Sequence, residues 1–172
     1  MPDLTESPFP APFVSDQFSV LPEWIDLNGH MNVARYLQAF DQAFDEPYER
    51  VGLTTDHMQS ARGTTFIAEG HITYQRELLL GDQLRITTRL LAFDAKRMHW
   101  FQCMYHRDKG YLAATNEWLI LYVDFDTRRV GRMPEALLQN FQALLAAHAE
   151  LPMPREVGRR VEFRQRKSSA SV

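Results

Sequence analysis

The spacing of apolar positions along this chain changes several times, and each change marks an element. From Phe13 to Leu21 the apolar content predicts a first strand, which Pro22 closes. From residue 33 the step lengthens. Val33, Tyr36, Leu37, Phe40, Phe44, Tyr48 and Val51 recur at threes and fours, which predicts a helix with one buried face. Asn32 precedes it as a candidate N-cap, because its side-chain oxygen can accept from N–H groups of the first turn. Pro47 predicts a kink or a restart, and Gly52 predicts the stop. Thr54 to Gly63 reads as loop.

Four strand-like runs follow. The first is Thr64 to Leu78, ended by the turn at Gly81-Asp82. Gln83 to Phe93 alternates through Leu84, Ile86, Thr88 and Leu90, and Asp94 to Lys96 makes the next turn. Arg97 to His106 and Tyr111 to Asp124 then form a hairpin around Asp108-Lys109-Gly110. A last amphipathic helix is predicted from Pro134 to His148, with Leu137, Leu138, Phe141, Leu144 and Leu145 on one face. The order predicts an α+β fold, in which one curved antiparallel sheet covers one long helix. The edges of such a sheet favour pairing across a dimer.

Composition narrows the partners. A chain of 172 residues suits one core, here residues 13–150 as a single domain. Residues 1–12 are proline-rich and polar, a flexible lead-in. Residues 151–172 form a basic C-terminal tail, either solvated or an arm against a partner subunit or an anionic ligand. A formal charge of −3 gives no electrostatic reason for nucleic acid or an anionic membrane surface as partner. No run reaches the ~20 apolar residues of a membrane span, and an N-terminus with Asp3 and Glu6 does not read as a secretion signal. Both observations predict a cytoplasmic protein. The lone Cys103, inside an apolar-aromatic run, reads as a buried inert thiol, and no metal site is assigned.

Chemistry concentrates between Trp24 and Leu37. Seven residues hold a carboxylate, Asp26, the carboxamides Asn28 and Asn32, Gly29 and the imidazole of His30, and they run directly into the helix. Asp26 can serve as general base or as nucleophile, or it can hold the loop as an Asx-turn residue. His30 can polarise a carbonyl or move a proton, or bond the loop backbone. Asn28 can donate to a carbonyl oxygen or shape the turn, and Asn32 reads first as the cap. Free N–H groups at the helix start suit an oxyanion.

Asp26-Leu27-Asn28-Gly29-His30-Met31-Asn32, followed by Tyr36, resembles the signature of hotdog-fold acyl thioesterases. It is similar to the 4-hydroxybenzoyl-CoA thioesterase-like group and to the plant acyl-ACP thioesterases, whose Asp-x-Asn-x-His-x-Asn motif it matches position by position. The resemblance puts catalytic roles on Asp26, Asn28 and His30. Tyr74-Gln75-Arg76-Glu77 resembles the stretch where the plant enzymes place a further acid, which points to Glu77. The resemblance also implies a homodimer joined through the strand from Thr64 to Leu78, alone or as half of a tetramer, and active sites at the subunit interface. No cofactor is implied beyond the coenzyme A of the substrate. Arg62, Arg76 and Arg97 are candidate partners for its phosphates.

The acyl group is approached through the aromatics. Trp24, Trp100 with Phe101 and Tyr105, and Trp118 with Tyr122 read either as core packing or as a cage for a quaternary ammonium group, with Asn32 and Tyr36 as further candidate substrate contacts. Asn28 to Asn32 with Ala34-Arg35-Tyr36-Leu37-Gln38, and Lys96-Arg97-Met98-His99-Trp100-Phe101, resemble the thioesterase domain found with bacterial L-carnitine dehydrogenases. That resemblance implies betainyl-CoA, in carnitine breakdown, as substrate. The competing readings are a broad fatty or aromatic acyl-CoA or acyl-ACP thioesterase, a hotdog hydratase, and a non-catalytic acyl-CoA-binding module.

Overall fold

A computed structural model describes residues 8–163. The first apolar run forms strand β1 (Phe13–Ser19), and Pro22–Trp24 makes one 3-10 turn. Helices α1 (Val33–Gln42), α2 (Asp45–Val51) and α3 (Thr55–Ser60) follow. Then come β2 (Gly63–Tyr74), β3 (Gln83–Phe93), β4 (Arg97–His106), β5 (Leu112–Asp124) and α4 (Glu135–His148). All neighbouring strands are antiparallel, in the order β1-β3-β4-β5-β2. The longest ladder joins β5 to β2, leaving β2 as an edge.

One face of the sheet carries the apolar half of each alternating strand. Ile86, Met98, Trp100, Met104, Trp118 and Ile120 from it are buried beneath Tyr36, Ala39 and Phe40 of α1. Phe44 stands edge-on to both Trp100 and Trp118, with ring centres at 5.5 and 6.1 Å. α4 closes the same layer through Phe141, whose ring meets Trp100 and Phe93. The predicted α+β hotdog arrangement is present.

The helix is not one long rod. It stops at Gln42 and restarts at Asp45, before Pro47 rather than at it. Pro47 has no N–H to offer the carbonyl of Ala43, and its ring crowds that oxygen, so the ladder breaks between Gln42 and Asp45 and Pro47 falls in the first turn of the new helix. Val33 and Leu37, expected on the buried face, stay 54% and 43% exposed. The supposed loop after Gly52 contains α3, started by Thr54, whose hydroxyl accepts from the N–H of His57 at 3.1 Å.

Three further boundaries move. β2 ends at Tyr74, four residues short of Leu78, because the N–H groups of Gln75 and Arg76 both converge on Ala113 O and turn the chain off the sheet. The described part of the lead-in is anchored: Phe9 is buried and Pro10 O accepts from His148 Nε2 at 2.9 Å. The start of the basic tail packs on its own sheet within its described residues. Residues 151–158 lie over the outer sheet face, where Arg89 donates to Pro152 O at 2.7 Å and Gly158 N donates to Glu117 Oε2 at 2.7 Å. Residues 1–7 and 164–172 of the two predicted end segments fall outside the described part.

Candidate active site

The segment from Asp26 to His30 is a closed loop. Ile25 and Met31 pair across its neck, Asp26 N donates to His30 O at 3.0 Å, and Gly29 N donates to Asp26 O at 3.0 Å. Gly29 has φ +79°, a left-handed backbone that a side chain disfavours. Asp26 Oδ1 accepts from Asn28 N at 2.8 Å, the Asx turn its residue type allows. Oδ2 makes no hydrogen bond among the described residues, and the side chain is 19% exposed. One oxygen therefore fixes the group while the other is available.

His30 Nδ1 lies 3.3 Å from Met31 O and 3.8 Å from Asp26 Oδ1. Asn28 and Leu27 project into solvent at the loop tip. Asn32 ends the loop as predicted: its Oδ1 accepts from Ala34 N at 2.9 Å and caps α1. Arg35 N bonds Asn32 O, so in this first turn the N–H of Val33 is left without a partner among the described residues.

Backbone bonds tie this loop to the stretch after β2. Met31 N donates to Leu78 O at 2.8 Å, and Asn32 N donates to Trp24 O at 2.8 Å. Tyr36 is buried at the same junction, its ring edge-on to Tyr74 at 5.2 Å. Burial pushes its hydroxyl up to about 12, opposed by a hydrogen bond with the Leu78 backbone, so it stays a neutral phenol. Tyr74 OH donates to Val33 O at 3.2 Å. Glu77 belongs to this end too. Its carbonyl accepts from Tyr111 OH at 2.9 Å, and its side chain is exposed.

The structure thus brings Asp26, Asn28, His30, Asn32, Tyr36 and Glu77 to one end of the fold. Trp24 lies beside them, buried, under a surface depression that Phe18, Arg35 and Gln38 also line. Trp100 does not join them. It is fully enclosed by core rings and offers no face to an open cleft, so its core-packing reading replaces the cage reading. Trp118 is also in the core, its Nε1 donating to Gln102 Oε1 at 2.7 Å, but one edge of its ring lies under Gly70. Of the basic candidates, Arg62 pairs with Asp126 and Arg97 with Asp94, whereas Arg76 lies 3.9 Å over the Tyr111 ring, beside Glu77. The free N–H expected at the helix start is that of Val33, and one part was missed in the sequence: the Leu78 carbonyl that anchors Met31. Backbone groups leave no trace in residue types. Among the described residues no cluster of three or more His, Cys, Asp or Glu is placed to hold a metal ion, and no helix is long and apolar enough to cross a membrane.

An α+β hotdog sheet with an acidic loop at the start of its central helix defines a class, and the sequence agrees: residues 20–141 match the thioesterase-like superfamily, to which the chain belongs. It is 34% identical over 140 residues to a betainyl-CoA thioesterase of Pseudomonas aeruginosa, covering 81% of this chain and 88% of that one. A Ruegeria pomeroyi L-carnitine dehydrogenase/betainyl-CoA thioesterase is 35% identical over 150 residues, 87% of this chain but only 29% of that longer protein. A solved Staphylococcus aureus protein in complex with CoA superposes with a TM-score of 0.82 at 29% identity, over 89% of this chain and 96% of that one.

Proposed function

We propose that this protein hydrolyses betainyl-CoA to betaine and free coenzyme A, with Asp26 as the general base. One observation carries the proposal: in a chain 34% identical to a betainyl-CoA thioesterase, the Asp26 carboxylate is pinned through one oxygen and free at the other, at the mouth of α1. Water held by Oδ2 attacks the thioester carbon and gives its proton to Asp26. The negative charge gathering on the carbonyl oxygen is met by the N–H of Val33 and the positive end of the helix dipole. As the intermediate collapses the C–S bond breaks, and the proton passes from Asp26 to the departing thiolate. His30 and Asn28 border the leaving group. Glu77 sits at the rim, and Arg76 beside it receives a phosphate of the carrier.

Packing favours a short acyl group. Phe40, Phe44, Trp100 and Trp118 fill the interval between the helices and the sheet, so a long hydrocarbon has no ready tunnel there. The exposed edge β2 and the open apolar positions Val33, Leu37 and Ile67 support a homodimer joined along β2, which would cover the rim of each site. The cytoplasm, where acyl-CoA is made and used, is the matching compartment. The test is thiol release from betainyl-, acetyl-, hexanoyl-, palmitoyl- and benzoyl-CoA by the purified protein. The proposal expects betainyl-CoA to have the highest kcat/KM, and a rate no better than acetyl-CoA removes it. An enoyl-CoA control separates hydration, which frees no thiol, from hydrolysis.

A further inference from the structure

The peptide group between Leu78 and Leu79 is held at both ends. Its carbonyl accepts from Met31 N at 2.8 Å, and its N–H donates to Asp82 Oδ2 at 2.8 Å. The Leu78 backbone also bonds the Tyr36 hydroxyl, and the Leu78 side chain is fully buried. Met31 stands opposite Ile25 at the neck of the Asp26 loop and directly precedes Asn32, the cap of α1. The orientation of this single plane therefore bears on both the Asp26 carboxylate and the Val33 N–H. A carboxylate on the N–H side also polarises the peptide, which makes its oxygen a stronger acceptor for Met31 N.

Asp82 closes the turn before β3 twice over, since its own N–H donates to Leu79 O at 3.0 Å. Its other oxygen faces His106, the last residue of β4. His106 Nε2 lies 3.2 Å from Asp82 Oδ1, off the line of a good hydrogen bond. Nδ1 accepts from Lys109 N at 3.3 Å, which leaves the ring proton on the side of Asp82. The Tyr111 ring packs against the imidazole at 5.1 Å, and its hydroxyl donates to Glu77 O at 2.9 Å. Water is thus kept from the carboxylate: His106 is 3% exposed and the Asp82 side chain 15%. A turn is served by an aspartate alone. It does not require a buried imidazole behind that aspartate, and burying one has a cost.

We propose that Asp82, backed by His106, is a positioning residue for hydrolysis: through the Leu78–Leu79 peptide it sets the neck of the Asp26 loop and the first turn of α1, without touching the substrate. The inference rests on the thioesterase reading above and deepens it. Displacing a reacting group by about 1 Å can cost on the order of 10²-fold in rate. The groups that bind the carrier stay where they are, so the loss falls on kcat rather than on KM.

The test uses whichever acyl-CoA the wild type hydrolyses fastest, so it does not depend on the identity of the acyl group. Asp82→Ala is expected to lower kcat by about tenfold or more, with KM within about threefold of wild type. Asp82→Asn keeps an oxygen for Leu79 N and should recover most of that loss. Hydrogen exchange reads the position itself: in Asp82→Ala the Met31 amide should exchange about tenfold faster or more, with the amides of the β3–β4 ladder unchanged. His106→Leu guards against an Asp82 variant that fails to fold. It leaves the bond to Leu79 N in place and should still lower kcat by about threefold or more. Wild-type kcat in folded Asp82→Ala or His106→Leu overturns the proposal. So does an equal loss in Asp82→Asn, or a Met31 amide that exchanges as slowly as in wild type. A wild type that frees no thiol from any acyl-CoA sinks the hydrolase reading instead, and the Met31 amide then still decides whether Asp82 holds the loop.

Discussion

His30 Nδ1 stands 3.8 Å from Asp26 Oδ1, beyond hydrogen-bond reach, although the two residues face each other across one closed loop. The pair is therefore no tight dyad, and Asp26 takes its orientation from Asn28 N instead. His30→Ala should lower kcat by about tenfold or less, well short of the loss at Asp26. Steady-state kinetics on betainyl-CoA decide this. An equal loss in the two variants would assign His30 the proton transfer itself.

The free Oδ2 of Asp26 supports water activation over direct attack. In a single turnover in water labelled with heavy oxygen, the betaine carboxylate should carry the label. An unlabelled product from the first turnover, its oxygen drawn from the Asp26 side chain, contradicts the general-base route. Mass spectrometry of the product reads the difference.

Asn32 joins the reactive loop to α1, and its Oδ1 bond to Ala34 N is the cap of that helix. Asn32→Ala should destabilise the protein by about 0.5–2 kcal/mol, while Asn32→Asp retains the cap. Chemical denaturation reads the stability. The alanine variant should also lose activity, because the Val33 N–H sits in the turn that frays.

A second histidine governs stability rather than chemistry. Where β1 no longer runs beside β3, Leu90 N donates to His148 Nδ1 at 2.9 Å, and His148 Nε2 reaches Pro10 O. Burial holds this imidazole below its ordinary value of 6.5, with the Arg89 guanidinium adding to the effect. The unfolded chain then binds a proton that the folded chain refuses. Its contribution is complete above that value and is lost as the pH falls through it. Urea denaturation between about pH 5 and pH 8 should show stability falling on the acid side, and His148→Gln should flatten that slope.

Much of this was legible in the chain. β3 and β4 begin and end where alternation and turn residues put them, because their periodicity and their short hairpin are both local. The Asp26-to-Asn32 loop was legible for the same reason: cap, glycine and carboxylate act on neighbours within a few residues. Long-range pairing was not. Nothing near Tyr74 announces that Gln75 and Arg76 will both seek Ala113 O, so the sequence pattern carries β2 past its end at Tyr74. α3 is short and buries no residue, which left no apolar stripe to detect. Charges made residues 151–158 look solvated, although Leu151, Pro152 and Pro154 cover the outer sheet face. Trp100 and Trp118 share a strand pattern, and only the third dimension separates the enclosed ring from the one beneath Gly70.

The most direct test is Asp26→Asn, assayed for thiol release from betainyl-CoA and for thermal unfolding on one preparation. Asparagine keeps an oxygen for Asn28 N but cannot take a proton from water. The account predicts a fall in kcat of about 10²–10⁴ with the melting temperature near wild type. Retained turnover accompanied by a large loss of stability would contradict it, and would leave Asp26 as a fastener of the loop.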